Sequence, residues 1–442
     1  MSPSAVTVPL GQALRFWLKL GFISFGGPAG QIALMHTELV ERRRWISEQR
    51  FLHALNYCML LPGPEAQQLA TYLGWLMHRT WGGVAAGTLF VLPSFFVLVA
   101  LSWIYLRYGS VPAVAGFLYG IKPAVTAIVL FAACRIGSRT LHDAWLWAIA
   151  VAAFVAIFAF DVPFPAIVIA GGLAGWIGGR VAPARFARTA SARAADAANA
   201  PALIDDATPP PPHARFSWPR LALVVAVFVA LWATAFALLA ARSTPDATLA
   251  RMAAFFTRAA LLTFGGAYGM LPYVLQGAVE KHGWLTADQM IDGLALGETT
   301  PGPLIMIVAF VGFVGGWTRD VLAAGMLFWS GVAGAAVATF FTFLPSFLFI
   351  LAGGPLVEST HGDVRFTAPL TGITAAIVGV IVDLAAFFAW HVFWPQGFAG
   401  GLDGLSLAIA LAAFVALYRF RVGVVPVIVA AGTCGLLVRL LF

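Results

Sequence analysis

The sequence predicts an all-α polytopic membrane protein made of two homologous repeats, and three observations carry that prediction. Hydrophobic residues make up 61% of the 442-residue chain, charged residues 10%, and mean hydropathy is +0.89. A soluble protein carries about a quarter charged residues. Apolar runs of about 20 residues, enough to cross a bilayer as a helix, recur along the whole chain. The short alternating segments of a β-barrel are absent. Finally, rare Gly, Pro and Trp signatures return at a fixed spacing.

Phe25-Gly26-Gly27, Trp45 and Pro62-Gly63-Pro64 return as Phe264-Gly265-Gly266, Trp284 and Pro301-Gly302-Pro303, each 239 residues on. Lys19 with Arg258, Ser24 with Thr263, Glu41 with Glu280 and Ser47 with Thr286 share that offset. Further along, Leu92-Pro93-Ser94-Phe95 returns as Leu344-Pro345-Ser346-Phe347, and Gly120-Ile121 as Gly372-Ile373, both at 252. A net insertion of 13 residues in the second half accounts for the change. The chain reads as a duplication.

Each half carries six apolar segments. In the first half, residues 1–180, they are 10–35, 50–79, 82–106, 111–134, 143–160 and 163–179. In the second, residues 250–442, they are 251–278, 287–317, 320–352, 366–394, 404–418 and 423–441. Residues 181–217, rich in Ala, Pro and Arg, read as a disordered cytoplasmic-type linker. Residues 218–241 hold one further transmembrane helix without a partner in the first half. That odd helix is expected to turn the second repeat upside down, as in inverted-repeat transporters. The loop arginines 42–44 and the Arg-rich linker share a membrane side if one intervening segment is re-entrant, and the PGP segment is the candidate.

Composition also excludes. The net charge of +7 sits mainly in loop arginines, which report topology, and no basic-aromatic stripe supports a nucleic-acid partner. Cys58, Cys134 and Cys434 lie apart in apolar runs and read as small buried hydrophobes. The eight histidines show no HxxH or HExxH spacing, so no metal or other cofactor is expected. No Walker A or GxSxG motif points to ATP drive or to an enzyme. No removable signal peptide is read at the N-terminus.

The breaks carry the chemistry. Proline inside a helix removes a donor and clashes with the preceding turn. In Pro62-Gly63-Pro64 one helix ends and another starts, with Pro64 expected at its first position. The N–H groups of Glu65, Ala66 and Gln67 then point into the membrane interior, where lipid exposure is forbidden. Such a helix start favours an anion. Gly26, Gly27 and Pro28 offer a second start, and Gly265, Gly266, Gly302 and Pro303 repeat both in the second half. Four half-helix ends are expected to converge, although Gly and Pro also serve mere kinks and close packing.

Charges within apolar spans are costly and mark function. Lys122 is the main candidate cation, against the alternative of a structural pair with a carboxylate such as Glu65. Lys19 and Arg258 face the same pocket or snorkel to the surface. Glu65 and Glu298 are candidates for proton exchange, with Glu65 alternatively a simple helix cap. Asp383 is a further intramembrane carboxylate.

These residues resemble the chromate ion transporter family in its long, two-domain form. The resemblance rests on "SFGGPAGQIALM" from Ser24, "RRRWISEQRFLHALNYCMLLPGPEAQQLATYLGW" from Arg42, "TFGGAYGMLPYV" from Thr263, "GWLTADQMIDGLALGETTPGP" from Gly283, and LPSF in each half. It covers nearly the whole chain apart from the linker and extra helix. It implies efflux of chromate across the bacterial inner membrane, conferring resistance, with sulfate as a near-isosteric competitor. Ala267 stands where the first half has Pro28, which favours the first half for substrate contact. The alternative is a transporter or passive channel for sulfate or another inorganic anion. The partners expected are the oxyanion and the lipid bilayer, with a homodimer left open.

Overall fold

The computed structural model describes residues 8–25, 27–181, 202–205, 211–241, 248–264, 266–322, 325–359 and 367–441. Apart from an isolated bridge between Ile46 and Ile204, the described residues form helices and their connections. The first repeat holds α1 (Leu10–Ile23), α2 (Gly27–His36), α3 (Glu48–Leu60), α4 (Glu65–Tyr108), α5 (Pro112–Thr140), α6 (Ala144–Phe160) and α7 (Phe164–Val181). The extra helix is α8 (Trp218–Ala241). The second repeat holds α9 (Thr248–Leu262), α10 (Ala267–Val274), α11 (Ala287–Thr299), α12 (Ile307–Thr318), α13 (Leu327–Ser359), α14 (Thr367–Phe393), α15 (Gly404–Tyr418) and α16 (Val424–Leu441). Seven of the helices are long and apolar enough to cross a membrane.

The first two apolar segments of each repeat are not continuous helices. Each is split into two short helices by its Gly/Pro break. At a rise of about 1.5 Å per residue, the 13 residues of α3 span about 20 Å, short of a hydrocarbon core about 30 Å thick. The chain also turns back. After α2 it returns beside the middle of α1, where Phe16 meets Trp45 at 5.4 Å and Arg43 lies over the Phe16 ring at 4.9 Å. The second repeat reproduces the contact, Phe255 meeting Trp284 at 5.4 Å. Thus the chain turns back after the FGG break in both repeats, a reversal that loop charges alone did not require.

Helix α4 reverses at His78–Arg79, where Arg79 takes φ 58°. Gly74 faces Gly82 and Ala86 across the reversal, so its two limbs pack backbone to backbone. The first limb returns to the end of the molecule where α1 begins, and His78 Nε2 donates to the Val8 carbonyl at 2.7 Å. The second limb runs to the opposite end. In the second repeat α12 and α13 make the same hairpin, Gly312 and Gly316 facing Gly334 and Ser330, but residues 319–326 join them. The 13-residue insertion therefore lengthens what is a two-residue reversal in the first repeat.

The remaining helices interlock. α5 packs on α15 and α16, while its counterpart α14 packs on α6 and α7. Small residues permit the approach: Gly116 and Gly120 lie on Ala431 and Gly435, and Gly372 lies between Gly171 and Gly175. This is the small-xxx-small packing of membrane helices, where dispersion replaces the hydrophobic effect. The extra helix α8 buries none of its residues and leans on α9 and α13, with Trp232 donating to Thr257 Oγ1 at 2.9 Å.

The described residues of the linker are docked. Ile204 pairs with Ile46, His213 donates to the Trp75 carbonyl at 3.0 Å, and Ala214 is buried. Its composition signalled a loose connection because a few anchors, Ile204, His213 and Ala214, hold it, and composition does not record where they land.

Replacing Gly120 by Val pushes a branched side chain into the Ala431 carbonyl and the Gly435 backbone. Thermal unfolding of the purified protein in detergent should show a loss of about 1–3 kcal/mol, and Gly372→Val a similar loss. An unchanged midpoint for both would disprove the interlock.

Candidate functional site

The two PGP elbows lie inside the molecule, and each is completed by the other repeat. Ser47 and Thr286 cap the helices that lead into them, accepting from the backbone N–H of Arg50 and Gln289 at 3.3 and 3.2 Å. The paired prolines then force the chain out of helix. Gly63 takes φ 120° and Gly302 φ 99°, conformations that favour glycine. Gly63 N–H donates to the Thr263 carbonyl at 2.8 Å, and Gly302 N–H to the Ser24 carbonyl at 2.7 Å. Gly63 and Gly302 correspond between repeats, as do Thr263 and Ser24. The two bonds are one contact made twice, each joining the PGP elbow of one repeat to the approach to the FGG break of the other.

The LPSF serines sit against the same elbows. A methyl group on Gly63 would come within 2.6 Å of Ser346 Oγ, and one on Gly302 within 2.7 Å of Ser94 Cβ. Gln31 donates to the Gly302 carbonyl at 2.5 Å, and Gln68 to the Pro62 carbonyl at 2.7 Å. Ser24 Oγ, Ser94 Oγ, Ser346 Oγ and the Oε1 atoms of Gln31, Gln67 and Gln68 are buried and bond to no group among the described residues. Buried polar atoms without a protein partner cost about 1–3 kcal/mol each. A cluster of them around two helix starts is a polar centre inside an apolar protein.

The structure places the sequence candidates in three groups. At the centre lie Gly63, Pro64, Glu65, Ala66, Gln67, Gly302 and Pro303. Pro64 and Pro303 cap the helical starts that follow, one position earlier than expected, and Glu65 opens the first turn of α4, half-buried. Gly27 and Pro28 open α2, and Gly266 caps α10 close to the Pro28 ring. Gly26 and Gly265 lie outside the described residues. Glu298 is buried in the last turn of α11, accepting a 2.5 Å hydrogen bond from Tyr268.

Lys122 stands apart from the elbows. It pairs with Asp288 at 3.1 Å and lies 3.8 Å from Asp292, near the start of α11. The PGP elbow follows the other end of that helix, roughly 10 Å further along its axis. Lys122 lines a cavity of about 420 Å³ with Tyr105, Tyr119, Gln289, Asp292 and Arg439. Its carboxylate partners are thus on α11 of the second repeat. Lys19 and Arg258 are both exposed, Lys19 beside Arg15 and Arg43 in a cleft of about 240 Å³. Asp383 is half-buried on α14.

Opposite ends of the molecule carry related seams between the repeats. At the end holding the linker, Arg50 on α3 pairs with Glu358 on α13 at 2.7 Å, both buried, and Tyr72 donates to Glu358 at 2.5 Å. At the other end α11 meets α4, where Tyr105 donates to Asp292 at 2.9 Å beside the Lys122 cavity. Sequence reading missed Arg50, Tyr72, Glu358, Asp288 and Asp292. Arg50, Asp288 and Asp292 lie in short helices that pass for loop flanks, and partners lie up to 308 residues away.

A helical, bilayer-spanning protein with paired helix breaks buried around a polar centre has the architecture of a membrane transporter. The chromate transporter family model matches residues 11–176 and 250–436, once in each repeat. The chain belongs to the chromate transporter family. It is 35% identical to a chromate transport protein of Pseudomonas aeruginosa over 98% of this chain and 94% of that protein. A chromate transport protein of Cupriavidus metallidurans is 28% identical, with 97% and 92% covered. A probable chromate transport protein of Synechococcus elongatus is 29% identical, with 84% and 82% covered. No solved structure matches the chain.

Two substitutions probe these contacts. Gly63→Ala and Gly302→Ala each force a side chain into left-handed backbone against a buried serine, and each should cost about 1–3 kcal/mol. Equal stability to wild type by chemical unfolding in mild detergent would rule out the crossed elbows. Arg50→Met leaves Glu358 buried without its cation and should cost about 3–5 kcal/mol, whereas Arg50→Met with Glu358→Leu should recover most of it. If the double variant is no better than the single, the pair is not an isolated seam contact.

Proposed function

We propose that the protein is a secondary transporter that exports chromate across the inner membrane and so confers chromate resistance. The observation that carries this reading is the polar centre at the crossed elbows. A dianion cannot enter hydrocarbon without fixed donors that replace its hydration. The first-turn N–H groups of Glu65, Ala66 and Gln67 at the start of α4 are such donors, reinforced by the positive end of the helix. Gly26, Gly27, Pro28, Gly63 and Pro64 let the backbone approach the anion, and Gly265, Gly266, Gly302 and Pro303 do so from the second repeat. Serine and glutamine side chains adapt to an oxyanion's tetrahedral oxygens. The names of the relatives make chromate the first substrate to test, and sulfate has the same shape and charge.

The repeats are inverted about a pseudo-two-fold axis in the membrane plane. Support comes from the path of the chain: four crossing elements in the first repeat, namely the second limb of α4 with α5, α6 and α7, followed by α8, make an odd number before the second repeat begins. The end carrying Arg42, Arg43, Arg44 and the Arg-rich linker is cytoplasmic by the positive-inside bias. The buried Arg50–Glu358 seam then closes the cytoplasmic side, while the cavity at Lys122 opens outward. Alternating access exchanges the two, rocking one repeat against the other about the elbows. Lys122 draws the anion at the outer mouth, and Lys19 with Arg15 and Arg43 draws it at the inner one.

Everted membrane vesicles test this reading. Chromate should accumulate inside them against its gradient when they are energised, with sulfate competing. Accumulation no greater than the membrane potential alone imposes on a dianion would show a passive channel instead. Lys122→Met should lower chromate flux at least about tenfold, with the amount of folded protein in the membrane unchanged. Full flux in that variant would remove Lys122 from the pathway.

A further inference from the structure

Among the described residues Asp292, Glu298 and Glu358 are the fully buried carboxylates, and they are not alike. Glu358 faces Arg50, and Asp292 faces Lys122. Glu298 is 6% exposed, takes part in no ion pair among the described residues, and bonds only to the Tyr268 hydroxyl. The surrounding elements offer it no close cation. Lys122 on α5 is engaged at the far end of α11, and Arg135, also on α5, is exposed and reaches Tyr268 only through space. Arg439 on α16 lines the outer cavity, Tyr105 on α4 binds Asp292, and Asp383 on α14 is another acid. On the other side of the elbow stand the apolar Leu304, Ile305 and Met306.

The position is also singular. Glu298 lies three residues before Pro301, and Tyr268 two residues after Gly266, so their bond ties the PGP elbow to the FGG break of the same repeat. The corresponding first-repeat residues are Met59 and Ala29. A nearly symmetrical scaffold thus carries a fully buried acid before the PGP elbow in one repeat only, the half-buried Glu65 following that elbow in the other. A buried carboxylate without a cation is expensive to ionise, and a dianion brought between the elbows makes it more so.

We propose that Glu298 is a proton-binding site that loads together with the oxyanion. Resting on the oxyanion reading above, it assigns a direction: one proton enters the Glu298 carboxylate from the side where the anion binds and leaves on the side where the anion is released. The unit translocated carries one negative charge instead of two. Tyr268 is a positioning residue that holds one carboxyl oxygen and leaves the other to take the proton. Because linkage is reciprocal, anion binding raises proton affinity by the factor by which protonation raises anion affinity.

The test uses the full-length purified protein and sulfate, whose charge is constant from about pH 6 to about pH 9, with chromate as a second probe at the alkaline end. Calorimetric titration in buffers of different ionisation enthalpy should count about one proton taken up per sulfate bound, and affinity should fall about tenfold per pH unit on the alkaline side. Glu298→Gln, which resembles the protonated acid, should bind sulfate with no proton uptake and no pH slope; Glu298→Asp should keep both. Proton uptake near zero in the wild type, or an undiminished slope in Glu298→Gln, overturns the assignment and leaves the oxyanion reading standing. If wild type binds neither anion at any pH, the oxyanion reading itself falls, and the proton site with it. Should Glu298→Gln fail to fold, the wild-type proton count alone decides.

Discussion

The structure depends on two backbone hydrogen bonds, from Gly63 to the Thr263 carbonyl and from Gly302 to the Ser24 carbonyl. A helix interrupted inside a membrane leaves peptide groups that no water can satisfy, so a break survives only where protein covers it. Here neither repeat covers its own. Each elbow takes its acceptor from the other repeat, at the residue before the FGG turn. Neither half can therefore form its central breaks alone, and the duplicated signatures FGG, PGP and LPSF become parts of one contact. Rigid elbows at the crossing also give the repeats a common point about which to move.

Around that near-symmetrical centre the two ends differ in chemistry. One seam is closed by a buried guanidinium–carboxylate pair with a tyrosine on the same carboxylate; the other has a half-buried lysine between an exposed and a buried aspartate beside a cavity. Taking one partner from a buried pair costs far more than loosening an exposed one. The repeat frame allows both arrangements, and substitutions at corresponding positions choose between them. Arg50 becomes Gln289, and Asp292 replaces His53.

Much of this was legible in the sequence. Hydropathy gives the class, and the offsets of 239 and 252 give the repeats, the matching caps Ser47 and Thr286, and the place of the insertion. The last three apolar segments of the first repeat correspond to α5, α6 and α7, while the first two of each repeat each hold two helices. What escaped were directions and distant pairs. The reversal at His78–Arg79 lies in a helical pattern without proline, and only Gly74, Gly82 and Gly83 hint at a close hairpin. Lys122 was recognisable as a costly intramembrane cation, but not its partners Asp288 and Asp292, which sit in what reads as the flank of a loop. Ser94 and Ser346 were visible as a repeated motif without a role, since a serine's purpose depends on what faces it. The linker illustrates the limit of composition, because its anchoring lies in a few residues whose landing places composition does not record.

That linker has a bearing on the order of synthesis. Arg50 donates both to Glu358, 308 residues later, and to the carbonyl of Asp205, 155 residues later. A ribosome delivers the strap long before it delivers α13, and amino-terminal elements settle first. In the interval the guanidinium has a carbonyl to hold, so the nascent first repeat carries a provisional acceptor at a site that would otherwise wait, charged, for half the chain to arrive.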